Sequence, residues 1–200
     1  MAKEFFEALK SRRSIYGIDK NTSVDEAKIQ EIVEEAVKYT PTSFNSQTSR
    51  AVILFGEQHD KLWDITLDEL KKVAVSDEAF EATTGKINSF KSGYGTILFF
   101  EDQEIVQNLQ NQFALYADNF PIWADQSSGM LQLVVWTALS SEGLGASLQH
   151  YNPLIDAGVQ AAWNIPSTWK LRAQLPFGQP TVEAGEKAFQ PLEERVKVFK

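Results

Sequence analysis

Two arginines flanked by hydroxyls, Ser11-Arg12-Arg13-Ser14, put two guanidiniums within one turn. Guanidinium forks hold phosphate through charge-assisted, bidentate hydrogen bonds. The same residues also suit a solvated helix end, where cations complement the dipole. Lys187, in the turn Gly185-Glu186-Lys187, is a further cation that can join such a site. A second concentration of polar groups is the loop Pro41-Thr42-Ser43-Phe44-Asn45-Ser46-Gln47. Its amides offer donors and acceptors together, as the edge of a heteroaromatic ring with imide and amide groups requires, or they satisfy the loop's own backbone. A third is Ser147-Leu148-Gln149-His150-Tyr151-Asn152-Pro153 at the end of a predicted strand, a place where ligand-facing residues gather. There His150 can be a proton donor or hydrogen-bond partner, or purely structural.

Other chemistries have little foothold. With 19 Lys+Arg against 27 Asp+Glu the formal charge is −8, which argues against a nucleic-acid binder relying on a basic surface. The absence of cysteine excludes disulfides, thiolate metal sites, iron–sulfur clusters and cysteine nucleophiles. His59 and His150 are far apart and neither belongs to an HExxH pattern, so no catalytic metal is expected. There is no P-loop and no GxSxG elbow. Gly143-Leu144-Gly145-Ala146-Ser147 begins like GxGxxG but lacks the final glycine and leads into a predicted strand. Glu34-Glu35 and Glu193-Glu194 lie in charged, solvated faces and do not read as a glycosidase pair. Met1 to Ser14 alternates charges with Phe5, Phe6 and Leu9 instead of forming a signal-peptide core. No apolar run approaches the ~20 residues of a membrane span. The expectation is a soluble, cytoplasmic protein with neither membrane nor nucleic acid as partner.

The elements that must position these groups can be read from periodicity. At 43% hydrophobic and 23% charged, the 200 residues suit one folded domain over 1–200. A helix is predicted from about Lys3 to Arg13, with Phe5, Phe6 and Leu9 on one side. A capping box, Ser23-Val24-Asp25-Glu26, opens a second with Ile29, Ile32, Val33, Ala36 and Val37, stopping before Pro41. Strands are predicted at Ala51–Phe55, Thr96–Phe100, Leu144–Leu148, Leu171–Leu175 and Arg195–Phe199, with a turn at Pro176–Pro180. Helices fall around Leu62–Val73, Asp77–Phe90, Glu104–Ala117, Ser127–Ser141 and Leu154–Ala162. The Ser127–Ser141 segment is apolar nearly all round and reads as buried. Few strands separated by helices make this an α+β domain, not a doubly wound sheet.

RRSIY at 12–16, PTSFNSQ at 41–47 and LPFGQP…GEKAFQPLEERVKVF at 175–199 together resemble the nitroreductase family of FMN flavoproteins. YGTILFFED at 94–102 and GASLQHYNP at 145–153 are similar to its smaller branch of fungal-type and Gram-positive bacterial members. The resemblance implies a nitroreductase-like α+β fold, with a central, mostly antiparallel sheet flanked by helices, in a homodimer with FMN at the subunit interface. It implies that Arg12, Arg13 and Ser14 bind the FMN phosphate, ribityl chain and pyrimidine edge, with Lys187 completing the phosphate site. Pro41, Thr42, Ser43, Asn45 and Gln47 would serve the other subunit's flavin. Leu148 and Gln149 would approach N5, with His150 and Tyr151 beside it. Asn88 and Lys91 have the spacing of a further ribityl and ring contact. Phe44, His150 and Tyr151 are the substrate-pocket candidates, and the other aromatics are assigned mainly to the core.

The resemblance also implies the activity: an oxidoreductase passing hydride from NAD(P)H through flavin N5 to nitroaromatic or quinone acceptors in ping-pong fashion, with no protein nucleophile. Tyr16 stands where many members carry a cation facing the N1/O2 edge, and Phe189 lies near a position where many carry a second cation at the phosphate. The loss of a cation near N1/O2 implies less stabilisation of anionic reduced flavin and a lower reduction potential. It leaves open a flavin-binding, redox-responsive regulatory protein with poor turnover. Thr48-Ser49 replaces the family's common Pro-Trp, a departure that bears on the substrate pocket.

Overall fold

The computed structural model describes residues 4–200; Lys3, where the first helix is expected to begin, lies outside them. Helix α1 (Phe5–Ser11) buries only Ala8 and leaves Phe5 and Phe6 exposed, and the chain is already extended at Arg12. Strand β1 (Ile18–Asp19) precedes α2 (Glu26–Tyr39), which is capped by Asp25, not Ser23, through acceptance from the Lys28 amide at 2.7 Å. Then follow β2 (Ser49–Phe55), α3 (Gly56–Val73), α4 (Asp77–Lys91), β3 (Gly95–Asp102) and α5 (Gln103–Gln112). Helix α6 (Asn119–Ser141), β4 (Gly145–Ala146), α7 (Asp156–Trp163), β5 (Trp169–Pro180) and α8 (Leu192–Arg195) complete the order.

The strands form a sheet in the order β1–β5–β3–β2, with β4 also on β5 and every strand pairing antiparallel. All eight residues of β3 are buried, as expected of a strand covered on both faces. Ile97 and Phe99 meet Ile29, Val33, Leu131 and Val135 of α2 and α6. The alternating Leu98 and Phe100 meet Leu62, Trp63, Ile87 and Val159 of α3, α4 and α7. The two-residue period of the strand thus divides one sheet between two helical layers.

Four expectations are corrected. Leu144–Leu148 yields only the two-residue β4, followed by a single bridge at Gln149. Pro176–Pro180 is not a turn: β5 runs through it because β4 pairs with Phe177 and Gly178 and β1 with Gln179 and Pro180. Gly178 permits this, since a Cβ there would lie 2.4 Å from the Asp19 carbonyl. Arg195–Phe199 is not a strand: residues 196–199 follow the short α8 without a partner strand among the described residues. Val-Lys-Val-Phe alternation cannot form a ladder without an edge to pair with. Finally, α6 starts at Asn119 and is buried along only one face, leaving Ile122, Met130, Leu133 and Val134 exposed.

His59 is structural. Its Nε2 donates to the Lys91 carbonyl (3.1 Å), which leaves Nδ1 to accept from the Thr96 hydroxyl (2.8 Å), whose oxygen in turn accepts from the Trp63 indole (3.1 Å). Burial lowers its pKa from 6.5 to about 4. A depressed folded value gives stability that is fully present above the unfolded pKa and is lost as pH falls from about 6.5 through 4. We expect urea denaturation to show a loss of up to roughly 3 kcal/mol through His59 as pH falls from 7 to 4. The gap between wild type and His59→Asn should narrow as pH falls through that window; a constant gap would rule out the neutral buried imidazole.

Candidate functional site

Three separated segments meet beside β5. Ser14 forms a parallel bridge with Ala146, and the Ile15 amide donates to the Ala146 carbonyl at 2.9 Å. Arg13 donates to the Gly185 carbonyl at 2.6 Å, which draws in the turn carrying Lys187. The Lys187 ammonium lies 5.4 Å from the Phe189 ring centroid and is exposed. Tyr16 is half exposed, its ring 6.4 Å from Phe90 at the end of α4. Asn88 on the same helix is exposed, and Lys91 is paired with Asp64 of α3.

The electrostatics of this corner are unusual for an acidic protein. Among the described residues neither Arg12 nor Arg13 forms an ion pair. The Arg12 guanidinium instead lies 4.3 Å from the Trp136 ring centroid, with its Nε buried and unpartnered. Burial, and then the charge of Arg13, lower the Arg12 pKa. Both disfavour the cation, so an anion bound beside it gains what the protein does not supply.

The segment from Ser147 to Asn152 is held by Gln174, a fully buried residue of β5. Backbone bonds of 2.7 and 2.9 Å join Gln149 and Gln174 in both directions. The Gln174 side chain accepts from the Tyr151 amide at 2.7 Å and donates to Asn152 Oδ1 at 3.3 Å. Gln149 is buried and donates to Ser147 Oγ, Leu148 is partly buried, and His150 is exposed. Tyr151 packs edge-on to Trp63 at 6.0 Å, and burial raises its phenol pKa.

The polar loop stands apart. Phe44, Asn45 and Gln47 all have positive φ (59°, 50° and 50°), a region non-glycine residues enter at a cost that surrounding contacts must offset. Here the Gln47 amide donates to Thr42 Oγ1 (3.0 Å), and Arg50 donates to the Gln47 carbonyl (2.6 Å) while pairing with Asp102 (3.2 Å). Ser49 donates to Glu101, whose carboxyl is fully buried with one unpartnered oxygen and a pKa raised by burial. Phe44 lies against Phe113 (5.1 Å), Phe120 (5.3 Å) and Trp123 (6.0 Å, stacked). Thr42 and Gln47 line a cavity of about 880 Å³ between α2 and β2, Pro41 a smaller one beside α2, and neither includes a residue of 12–16 or 147–151. Ser43, like Thr42, is partly buried, and Asn45 is exposed.

Residues 9–179 match the model of the nitroreductase family. The chain belongs to that family. HBN1 of Saccharomyces cerevisiae is 37% identical over 200 residues, covering 98% of this chain and 96% of the relative. The nitroreductase CinD from Lactococcus lactis in complex with chloramphenicol superposes with a TM-score of 0.91 at 51% identity, covering 98% of this chain and 100% of that one. Its complex with 4-nitrophenol gives 0.90 and 52% over the same shares. A fold relative from Exiguobacterium sibiricum in complex with FMN gives 0.74 at 15% identity, covering 100% of this chain and 99% of that one. The expected nitroreductase-like fold, an antiparallel sheet flanked by helices, is the fold observed.

Within this nitroreductase-family chain, sequence reading did not single out Gln174, Trp136, Arg50 or Asp102. A glutamine inside the predicted strand Leu171–Leu175 was the available signal, because a buried amide needs partners. Trp136 is hidden in an apolar helix. We expect Gln174→Ala to leave the Tyr151 amide unsatisfied and cost about 1–3 kcal/mol in urea unfolding, with Gln174→Glu, which keeps the acceptor but buries a carboxylate and loses the donor to Asn152, costing no less at pH 7. Equal stabilities for all three would contradict the anchoring.

Proposed function

We propose that the chain is a cytoplasmic, homodimeric FMN-dependent oxidoreductase that uses NADH or NADPH to reduce nitroaromatic compounds or quinones by ping-pong exchange. The observation that carries this reading is the pair Arg12–Arg13, which lacks any carboxylate partner among the described residues and sits beside the strand leading to Gln149. A phosphate monoester has the charge and acceptors such a pair needs. Arg12, Arg13 and Ser14 would hold the phosphate and ribityl chain, with Lys187 closing the site from the turn that Arg13 grips. Leu148 and Gln149 would present backbone to the N5 edge, His150 and Tyr151 would flank the acceptor, and Tyr16 would face the N1/O2 edge.

When bound, FMN supplies two-electron transfer at N5 between the nicotinamide and the acceptor. The chain's share is binding, orientation and exclusion of water, so no nucleophile or acid–base triad is required. The FMN complex of the Exiguobacterium relative and the 4-nitrophenol complex of CinD support the cofactor and the acceptor class.

Two copies would complete each site, with Pro41, Thr42, Ser43, Asn45 and Gln47 of one serving the flavin of the other. In support, no residue of 12–16 or 147–151 lines the cavities the loop borders. The strained backbone at Phe44, Asn45 and Gln47 is typical of segments shaped for binding. Exposed Ile122, Leu133 and Val134 on α6 and exposed Phe189, Val198 and Phe199 offer apolar surface for a second copy.

A second reading, a flavin-holding regulatory protein with poor turnover, draws on the neutral Tyr16 and Phe189. The two are separated by an absorption spectrum of the purified protein, followed by anaerobic NAD(P)H reduction and addition of nitro and quinone acceptors. Flavin bands and rapid multiple turnover are expected; a colourless protein that takes up no FMN overturns the flavin reading, and bound flavin with negligible turnover favours the regulator. Arg12→Ala and Lys187→Ala should each weaken FMN retention about tenfold or more with the fold kept. In mixed dimers, Asn45→Ala should damage flavin binding in the unmutated subunit's site; damage confined to the mutated subunit's own site contradicts the shared site.

A further inference from the structure

A carboxylate would be the ordinary partner for a half-buried arginine, but it would occupy the edge donors with which a guanidinium grips phosphate. Trp136 solves the same problem differently. Its ring lies 4.3 Å from the Arg12 guanidinium carbon, inside the range of a cation–π contact. Such a contact steadies the cation without offering a hydrogen-bond acceptor to its nitrogens. Trp136 is carried on α6, where its neighbours Val135 and Leu139 are fully buried in the core, so the platform is rigid. On the Arg12 side, Nε is buried without a partner, and the Trp136 indole N–H is likewise buried and unpartnered. The arrangement tolerates two unsatisfied donors without recruiting an acceptor from the protein, which is costly unless it serves the site. Arg13 is anchored separately, by the Gly185 carbonyl.

We infer that Trp136 is a positioning residue of the anion site, holding the Arg12 guanidinium over its ring so that the terminal nitrogens stay available to the phosphate of the flavin. This rests on the reading of Arg12 as a phosphate ligand, and the test separates the two. FMN and riboflavin, which lacks the phosphate, are titrated into the full-length protein freed of flavin, for wild type, R12A, W136L, W136M, W136F and R12A/W136L. W136L and W136M both remove the aromatic face while keeping apolar bulk, and either suffices if the other fails to fold. Loss of the face should weaken FMN about 3- to 30-fold while leaving riboflavin affinity unchanged, and W136F should fall between these variants and wild type. In the R12A background W136L should add no more than about a twofold further change.

Equal weakening of FMN and riboflavin would mark Trp136 as merely structural, and wild-type FMN affinity in W136L or W136M would remove it from the site; either result overturns the inference. So does a full, additive effect of W136L on top of R12A. If R12A itself binds FMN like wild type, the phosphate assignment of Arg12 falls first and takes the positioning role with it.

Discussion

Strand β5 must satisfy backbone groups along both edges while its faces lie under two helical layers, and that constraint couples the core to the site. One edge is taken by β3 over Trp169–Phe177. The other is shared by Gln149, β4 and β1 in succession. Each of those short pairings docks a segment with polar chemistry: Ser14 reaches the sheet through Ala146, and Tyr151 and Asn152 through the Gln174 side chain. A one-residue slip of β5 would turn Gln174 to the opposite face and release the segment it holds.

Charge works by local exception. A chain with net charge −8 repels phosphate at long range, so an anion site depends on cations not already neutralised. The described ion pairs engage Lys20, Lys28, Arg50, Lys72, Lys91 and Arg172, and bypass the two arginines after α1. Arg12 is steadied by a π face and Arg13 by a carbonyl, neither of which cancels charge. The polar loop shows the complementary device: Arg50 is neutralised by Asp102 and also donates to the carbonyls of Gln47, at the end of the strained turn, and Ser49.

Much of this was legible in the chain. The apolar spacing of Ile29, Ile32, Val33 and Ala36 specifies α2 because one helical face can be buried without reference to distant residues. The cap was misplaced by two positions, since Ser23 and Asp25 are both good caps and only the path of the incoming chain selects between them. At Pro176–Pro180 two prolines and a glycine read as a turn, yet β1 and β4, both distant in sequence, hold that stretch extended. At 196–199 the reverse holds, for an alternating pattern finds no edge within the described residues.

Residue types and their spacing are enough to establish the class of protein, the absence of thiol chemistry and the identity of the polar segments, since composition and residue type are local properties. They also determine the family, through several short motifs in order. Which of those segments meet follows from long-range contacts: 12–16, 145–152 and 185–187 converge beside β5, while 41–47 lines a different surface. The tertiary structure alone revealed Trp136 beneath Arg12 and Gln174 beneath Tyr151. Both depend on contacts between residues far apart in the chain, and side-chain periodicity reports which face a residue occupies without naming what lies across from it.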